Sequence, residues 1–522
     1  MGKPQVHVVL FPLPAQGHNS PFLSLATRLH RYRPGLTITL VSTRHHINSI
    51  RSSLPSDSRL HLQSLPFNPA DHGLPAGAES TADLPVAQFI TFFKATESLY
   101  PDFDDFISNL VSNSSDGVPL CIVSDFFCGW TVDIARKHKA FHTTFLTMGA
   151  FGGAVFFSLW LNHPHRLTEK DQFPLPEYPE VIIDRSQVAR HILASDGTDE
   201  WSQFFKRQLM FLNNTDAVMV NTVEEFESLG LSMLRKTFKF PIWPIGPPLA
   251  PANEQSSSKS DDENAIIAFL DSQLPASVLY ISFGSQNTIQ PEQMMHLAQG
   301  LEGSSSPFIW VIRPPIGSDP KGEFKDEWLP NGFKDRIKQK NIGLLVHGWA
   351  PQLQVLCHRS TGAFLSHCGW NSILESMCHG IPILAWPVNA EQFFNSMIVV
   401  KSGVGIELAR GVMESSAPTE EKVEEVINLM MSPNAKRMEI RNRAKECRDV
   451  MNKAWDEEGG SSMKSLLEFF QWSNIQGQTG DWDALVAGVV VAVIDGTDMS
   501  LCQSKTSRCK IVVQSSLLSL ST

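Results

Sequence analysis

The sequence predicts an α/β protein of two facing, doubly wound domains, and three observations carry that prediction. Short apolar runs rich in β-branched residues alternate with longer stretches of helical period. These runs are apolar on both faces, the pattern of parallel strands covered on both sides. The alternation breaks once, in a polar stretch with Pro and Ser at residues 247–264. A chain of 522 residues is also too long for one core and suits two domains of roughly 200 residues or more.

Taken in order, the first half carries strand-like runs at Val6–Phe11, Leu36–Ser42, Leu120–Asp125, Phe141–Thr147 and Ala217–Asn221. The second half carries them at Val278–Phe283, Phe308–Ile312, Gly343–His347, Gly362–Ser366, Ile381–Trp386 and Gly405–Leu408. Helical stretches between them imply right-handed crossovers. The expected division is a first domain over 1–246, a linker over 247–264 and a second domain over 265–455. A C-terminal helix follows over 456–470, with Ser461 or Ser462 as its N-cap. Residues 471–522 lack core patterning, and this tail is expected to be poorly ordered and dispensable for activity. In two facing sheets of this kind, ligands bind at the carboxyl ends of the strands, in the cleft between the domains.

Composition narrows the function. The chain has 43 basic and 54 acidic residues, a formal charge of −11, which disfavours nucleic acid and anionic membranes as partners. Its eight cysteines show no C-x-x-C pair, so neither a zinc nor a redox motif is expected, and buried reduced thiols are. The opening run is too short for a signal-peptide core, and no run approaches the ~20 apolar residues of a membrane span. The expected location is therefore cytoplasmic, and the expected state a monomer.

One segment carries chemistry. Gly362–Ser366 reads as a strand, His367-Cys368-Gly369-Trp370 as a turn, and Asn371-Ser372 as a helix start running through Glu375. Such a turn places free N–H groups and the positive end of the helix dipole at the sheet edge, a site for a diphosphate. Asn371 and Ser372 read equally well as helix caps. Glu375 lies one turn beyond Asn371, on the same face.

Residues 349–392 read WAPQLQVLCHRSTGAFLSHCGWNSILESMCHGIPILAWPVNAEQ. This resembles, without insertion or deletion, the donor-binding signature of the plant family 1 UDP-glycosyltransferases. The resemblance extends over about residues 6 to 470. It implies a fold of two Rossmann-like domains (the GT-B type) and UDP-glucose as co-substrate, with no cofactor and no metal requirement. It implies that Trp349 stacks on uracil, with the Ala350 backbone and Gln352 completing base recognition. Glu375 would accept the ribose hydroxyls, while Ser285, His367, Gly369, Asn371 and Ser372 would meet the phosphates. Trp370, Glu391 and Gln392 would read the sugar. A final Gln is usual for glucose users in the family; Glu391, where Asp is also common, leaves the sugar open.

The first strand ends in Pro12-Leu13-Pro14-Ala15-Gln16-Gly17-His18-Asn19-Ser20-Pro21, followed by helical spacing at Phe22, Leu23, Leu25, Ala26 and Leu29. Pro21 suits a first helical turn capped by Asn19 or Ser20. His18 then sits on the turn at the sheet edge, either as a turn histidine or as a base. Gly-His followed by Pro resembles the family's catalytic segment, and Asp125 occupies the position of the carboxylate that orients the base. An imidazole with a pKa near 6.5 suits proton removal from an attacking hydroxyl. Inverting transfer to a small lipophilic acceptor follows, with Phe89, Phe92, Phe93, Phe126, Phe127, Met148, Phe151, Phe156, Phe157 and Trp160 as candidate apolar surface. Two alternatives stand beside it. A non-catalytic UDP-sugar-binding protein would need neither His18 nor Asp125. A nicotinamide-dependent oxidoreductase would want G-x-G-x-x-G after a strand, where this chain has Pro-Ala-Gln-Gly-His.

Overall fold

The computed structural model describes residues 6–55, 58–113, 119–247, 261–319, 322–411 and 417–473. Most of the expected linker (248–260) and nearly all of the expected tail, including Cys502 and Cys509, lie outside the described residues.

The first domain is built on a seven-stranded parallel sheet. Its strands are β1 (His7–Phe11), β2 (Thr37–Thr43), β3 (His61–Leu65), β4 (Leu120–Asp125) and β5 (Phe141–Leu146), followed by β8 (Ala217–Val220) and β9 (Ile242–Pro244). A small antiparallel hairpin, β6 (Gln172–Pro174) with β7 (Ile182–Asp184), interrupts the series. The order across the sheet is β3-β2-β1-β4-β5-β8-β9. The second domain has six parallel strands: β10 (Val278–Ser282), β11 (Phe308–Val311), β12 (Gly343–Val346), β13 (Thr361–Ser366), β14 (Ile383–Ala385) and β15 (Gly405–Glu407). Their order is β12-β11-β10-β13-β14-β15. Both sheets are therefore doubly wound. The order of strand addition reverses between β1 and β4 in the first and between β10 and β13 in the second, and a ligand crevice is expected at each switch point.

The central strands match the apolar runs closely, because each is buried on both faces. The strands with no apolar run in the sequence are β3, β9 and the hairpin. The first two are edge strands; β3 is half exposed, so the apolar requirement relaxes there, whereas β9 is apolar and buried. β9 is three residues long and ends in Pro244, as an edge tolerates.

Four expected boundaries move. The first helix spans Gln16–Tyr32 with Ala15 as N-cap, so neither Asn19 nor Ser20 caps it and Pro21 lies inside it. The helix after β13 begins at Trp370 with Gly369 as N-cap, so Asn371 and Ser372 are not its caps either. A helix occupies Asp261–Asp271, shortening the linker from 247–264. The last helix is Ser461–Trp472, capped by Gly460 rather than by a serine. Ser461 instead bonds the Glu225 carboxylate and Ser462 the Gly246 carbonyl. This helix packs back on the first domain, where Trp243 Nε1 donates to Glu468 at 2.9 Å and the Trp243 and Phe469 rings meet at 5.9 Å.

The helix Ala150–Asn162 is apolar nearly all round, and its residues 150–160 are buried. Glu227, itself buried, accepts its first N–H groups, those of Ala150 at 2.7 Å and Phe151 at 3.0 Å. This settles two of the unpaired donors that every helix start presents. The helix Ser228–Thr237 crosses it closely: a Cβ on Gly230 would lie 2.2 Å from the Phe151 nitrogen. Among the described residues the cysteines are free; Cys121, Cys128, Cys368 and Cys447 are buried. No described helix is long and apolar enough to cross a membrane.

Candidate active site

A cleft of about 600 Å³ opens between the two sheets at their reversal points. Every residue expected to act lines it except Asp125, which lies behind His18.

On the first domain, β1 delivers the chain to the helix that carries His18 in its opening turn, and neighbouring β4 ends at Asp125. His18 Nδ1 and Asp125 Oδ2 are 2.7 Å apart; the His18 side chain is 22% exposed and the Asp125 side chain 1%. Asp125 also accepts the Phe127 N–H through its other oxygen, at 3.0 Å, so it is a helix cap and an orienting group at once. Thr147, just past β5, approaches His18 Nδ1 at 3.1 Å. With Nδ1 held by a carboxylate, the ring proton sits there and the Nε2 lone pair is the free one. Burial works against a charge on His18, but the Asp125 carboxylate, aided by Glu391, more than offsets it, and the imidazole is raised above its ordinary value.

The second domain supplies the other wall. Trp349, past β12, leaves its indole 62% exposed, an apolar plane that no core claims. Gln352 donates to Glu375 at 2.7 Å and to Ser372 at 3.2 Å. Burial pushes Glu375 up to about 7, with the Gln352 amide pulling the other way. Ala350 is buried at the cleft wall. His367 is packed between two glycines. A Cβ on Gly284, whose φ is +80°, would lie 2.6 Å from its ring, and one on Gly369 would lie 2.4 Å from its Nε2. The left-handed residue of that turn is Cys368, at φ +63°, rather than Gly369. Burial pushes His367 down to about 4, so the ring is neutral, and its Nδ1 is buried without a protein partner.

Three expected sugar readers also lie here. Trp370 spends its indole N–H on the Asn221 carbonyl at 2.6 Å, leaving its backbone to the cleft. Gln392 accepts the Val388 and Asn389 N–H groups at 3.0 and 2.9 Å, which fixes its amide with the NH₂ left over. Glu391 is raised above its ordinary value by burial, with the His18 charge opposing the shift.

Several groups were missed in the sequence. Arg313, two residues past β11, is the one Lys or Arg lining the cleft among the described residues; it bonds the Ser285 carbonyl. Its place at a strand's carboxyl edge was the available signal, as it was for Thr147. Asn371 bridges the domains, donating to the Gly17 carbonyl at 2.7 Å and accepting from Asn221 at 3.3 Å. No sequence pattern announces a pair 354 positions apart. Of the expected apolar surface, Phe89, Phe93, Phe127, Met148 and Phe156 line the cleft. Phe92, Phe126, Phe151, Phe157 and Trp160 are buried in the first core instead, and Val86, His191, Trp201 and Phe205 join the lining. No group of three or more His, Cys, Asp or Glu is placed to hold a metal among the described residues.

The two doubly wound domains thus set a buried helix start on one wall of the cleft and a carboxylate-held histidine on the other. Comparison with known proteins gives the family. The family model for UDP-glucoronosyl and UDP-glucosyl transferase matches residues 178–439. UDP-glycosyltransferase 92A1 of Arabidopsis thaliana is 40% identical over 483 residues, covering 90% of this chain and 98% of that protein. Crocetin glucosyltransferase 3 of Crocus sativus is 40% identical over 476 residues, covering 89% and 98%. Among solved structures, a transferase of this type from Siraitia grosvenorii in complex with UDP superposes with a TM-score of 0.73 at 28% identity, covering 90% of this chain and all of that one. The UGT2 protein of Phytolacca americana, complexed with UDP-2-fluoro-glucose and pterostilbene, gives 0.72 at 26% identity, with coverage of 90% and 100%. The chain belongs to the UDP-glycosyltransferase family, and it is a plant-type, UDP-sugar-dependent enzyme of the GT-B fold.

Proposed function

We propose that the protein transfers glucose from UDP-glucose to a hydroxyl of a small lipophilic acceptor, of phenolic, flavonoid or terpenoid type, with inversion at the anomeric carbon. The observation that carries this reading is the His18–Asp125 pair, 2.7 Å apart, facing a helix start across the cleft.

The acceptor hydroxyl gives its proton to His18 Nε2 as its oxygen attacks C1 of the sugar. The bond from C1 to the diphosphate oxygen breaks on the opposite face, and its electron pair leaves with UDP. Asp125 stabilises the imidazolium that forms and holds the productive tautomer. Leaving-group charge meets the N-terminus of the helix Trp370–His379, the Ser285 and Ser372 hydroxyls, His367 Nδ1 when it carries the ring proton, and the Arg313 guanidinium. This account needs no metal ion. Trp349 takes the uracil face, Ala350 and Gln352 its edge, Glu375 the ribose hydroxyls, and Gln392, Glu391 and the Trp370 backbone the glucose. In this reading residues 1–246 serve the acceptor, residues from 261 to about 455 serve the donor, and the enzyme works as a cytoplasmic monomer.

The experiment is product analysis. UDP-glucose is an α-glycoside, so incubation with a phenolic panel should give β-glucosides, read from the anomeric proton coupling. An α-glucoside would exclude the single displacement.

A further inference from the structure

We infer that His191 is the specificity-determining residue of the acceptor site, and that the acceptor is a flat, uncharged aromatic molecule with a hydroxyl or carbonyl group at the end remote from the hydroxyl that is glycosylated. The inference rests on the transfer reading above and names its substrate class.

The acceptor side of the cleft is walled by rings in sequence. His18 meets Phe127 edge-on at 5.6 Å, Phe127 meets Phe93 at 4.6 Å, Phe93 meets Trp201 at 6.0 Å, and Trp201 meets His191 at 5.0 Å. His191 thus ends an aromatic wall that His18 begins. Such rings favour a flat apolar body between them, through offset and edge contacts.

His191 also lines the cleft, and its imidazole lies against Trp160 at 6.1 Å. Its ring nitrogens have no hydrogen-bond partner among the described residues. If packing against Trp160 and Trp201 were its whole purpose, a phenylalanine would serve as well. His191 is part-exposed to the cleft, so a ligand that displaces its water must supply a polar partner in its place. Burial pushes the imidazole down to about 4, with the Asp199 charge opposing the shift, so at neutral pH it offers one N–H and one lone pair. Those suit a hydroxyl or a carbonyl. A carboxylate at this end would find no cation: the Lys or Arg that lines the described cleft is Arg313, bonded to Ser285 on the donor wall. Asp199, whose charge reaches His191, would repel it.

The test is calorimetric binding of three matched ligands to the UDP-bound enzyme: a trans-stilbene with a hydroxyl on each ring, its analogue with one hydroxyl, and its analogue with a carboxylate replacing the second. Wild type should bind the dihydroxy compound about tenfold more tightly than the monohydroxy one, the worth of one neutral hydrogen bond, and the carboxylate most weakly. His191→Phe, which keeps the ring packing, should bind the first two alike, and His191→Asn should retain part of the preference. UDP affinity should be unchanged in both variants, which verifies their folding. Equal affinities in wild type, tight binding of the carboxylate, no binding of any ligand, or a preference that survives in His191→Phe would overturn the inference. UDP release from UDP-glucose with the same compounds is scored separately: discrimination without transfer would count against the transfer reading, and transfer without discrimination against His191.

Discussion

His18 shows how two neighbours set the working range of a base. It must be neutral to accept a proton, and Asp125 raises its pKa, so activity should fall as pH drops through a value above the ordinary 6.5. Asp125→Asn removes the charge and leaves burial, which lowers the pKa. The acid limb of kcat/KM should therefore move to lower pH while kcat falls on the order of 10³-fold; a pH profile of the two enzymes checks both. Pro21 offers a second residue-scale prediction. It has no N–H, so the Gly17 carbonyl four residues earlier lacks its helical partner and receives Asn371 from the other domain instead. Pro21→Ala supplies the missing N–H as a competitor. It should raise the KM for UDP-glucose several-fold with little change in acceptor binding, as steady-state kinetics with each substrate varied would reveal. The resemblance of segment 349–392 to the family's donor signature singled out residues that the structure brings to one cleft. Asn221, Gly17 and Thr147 were not singled out, since their roles come from contacts across more than a hundred positions.

At the scale of elements, legibility followed burial and length together: β9 is buried but only three residues long, and no run marked it. Strands covered on both faces announced themselves as apolar runs, and β4, predicted at Leu120–Asp125, is found there. The edge strand β3 reads His-Leu-Gln-Ser-Leu and is half exposed, so nothing forced its composition. Helix starts were misjudged because cap residues were sought by side-chain type, and Ala15, Gly369 and Gly460 cap by backbone alone. One tight element contact is the crossing of Ser228–Thr237 over Ala150–Asn162. Gly230→Ala drives a methyl group into the Phe151 backbone and should destabilise the fold by about 1–3 kcal/mol, seen in a denaturant titration as a lower midpoint with unchanged slope.

Over the whole molecule, the two domains should act as one, because the groups proposed to hold the donor touch both. The helix Trp370–His379 presents Asn371 to Gly17, next to the base, so donor binding and base positioning share a contact. UDP at a hundred times its Kd should stabilise the protein by about 2.7 kcal/mol, whereas NAD should leave the melting temperature unchanged. Stabilisation by NAD alone would return the oxidoreductase reading to consideration.

The central claim, that His18 is the base of a UDP-glucose-dependent transfer, is tested most directly by UDP release. The assay compares wild type with His18→Ala over a panel of phenolic, flavonoid and terpenoid acceptors, with UDP binding measured on both. Acceptor-dependent release should fall at least about 10²-fold in the variant while UDP affinity is retained. Release that persists undiminished in His18→Ala would contradict the claim, and the base would have to lie elsewhere in the cleft.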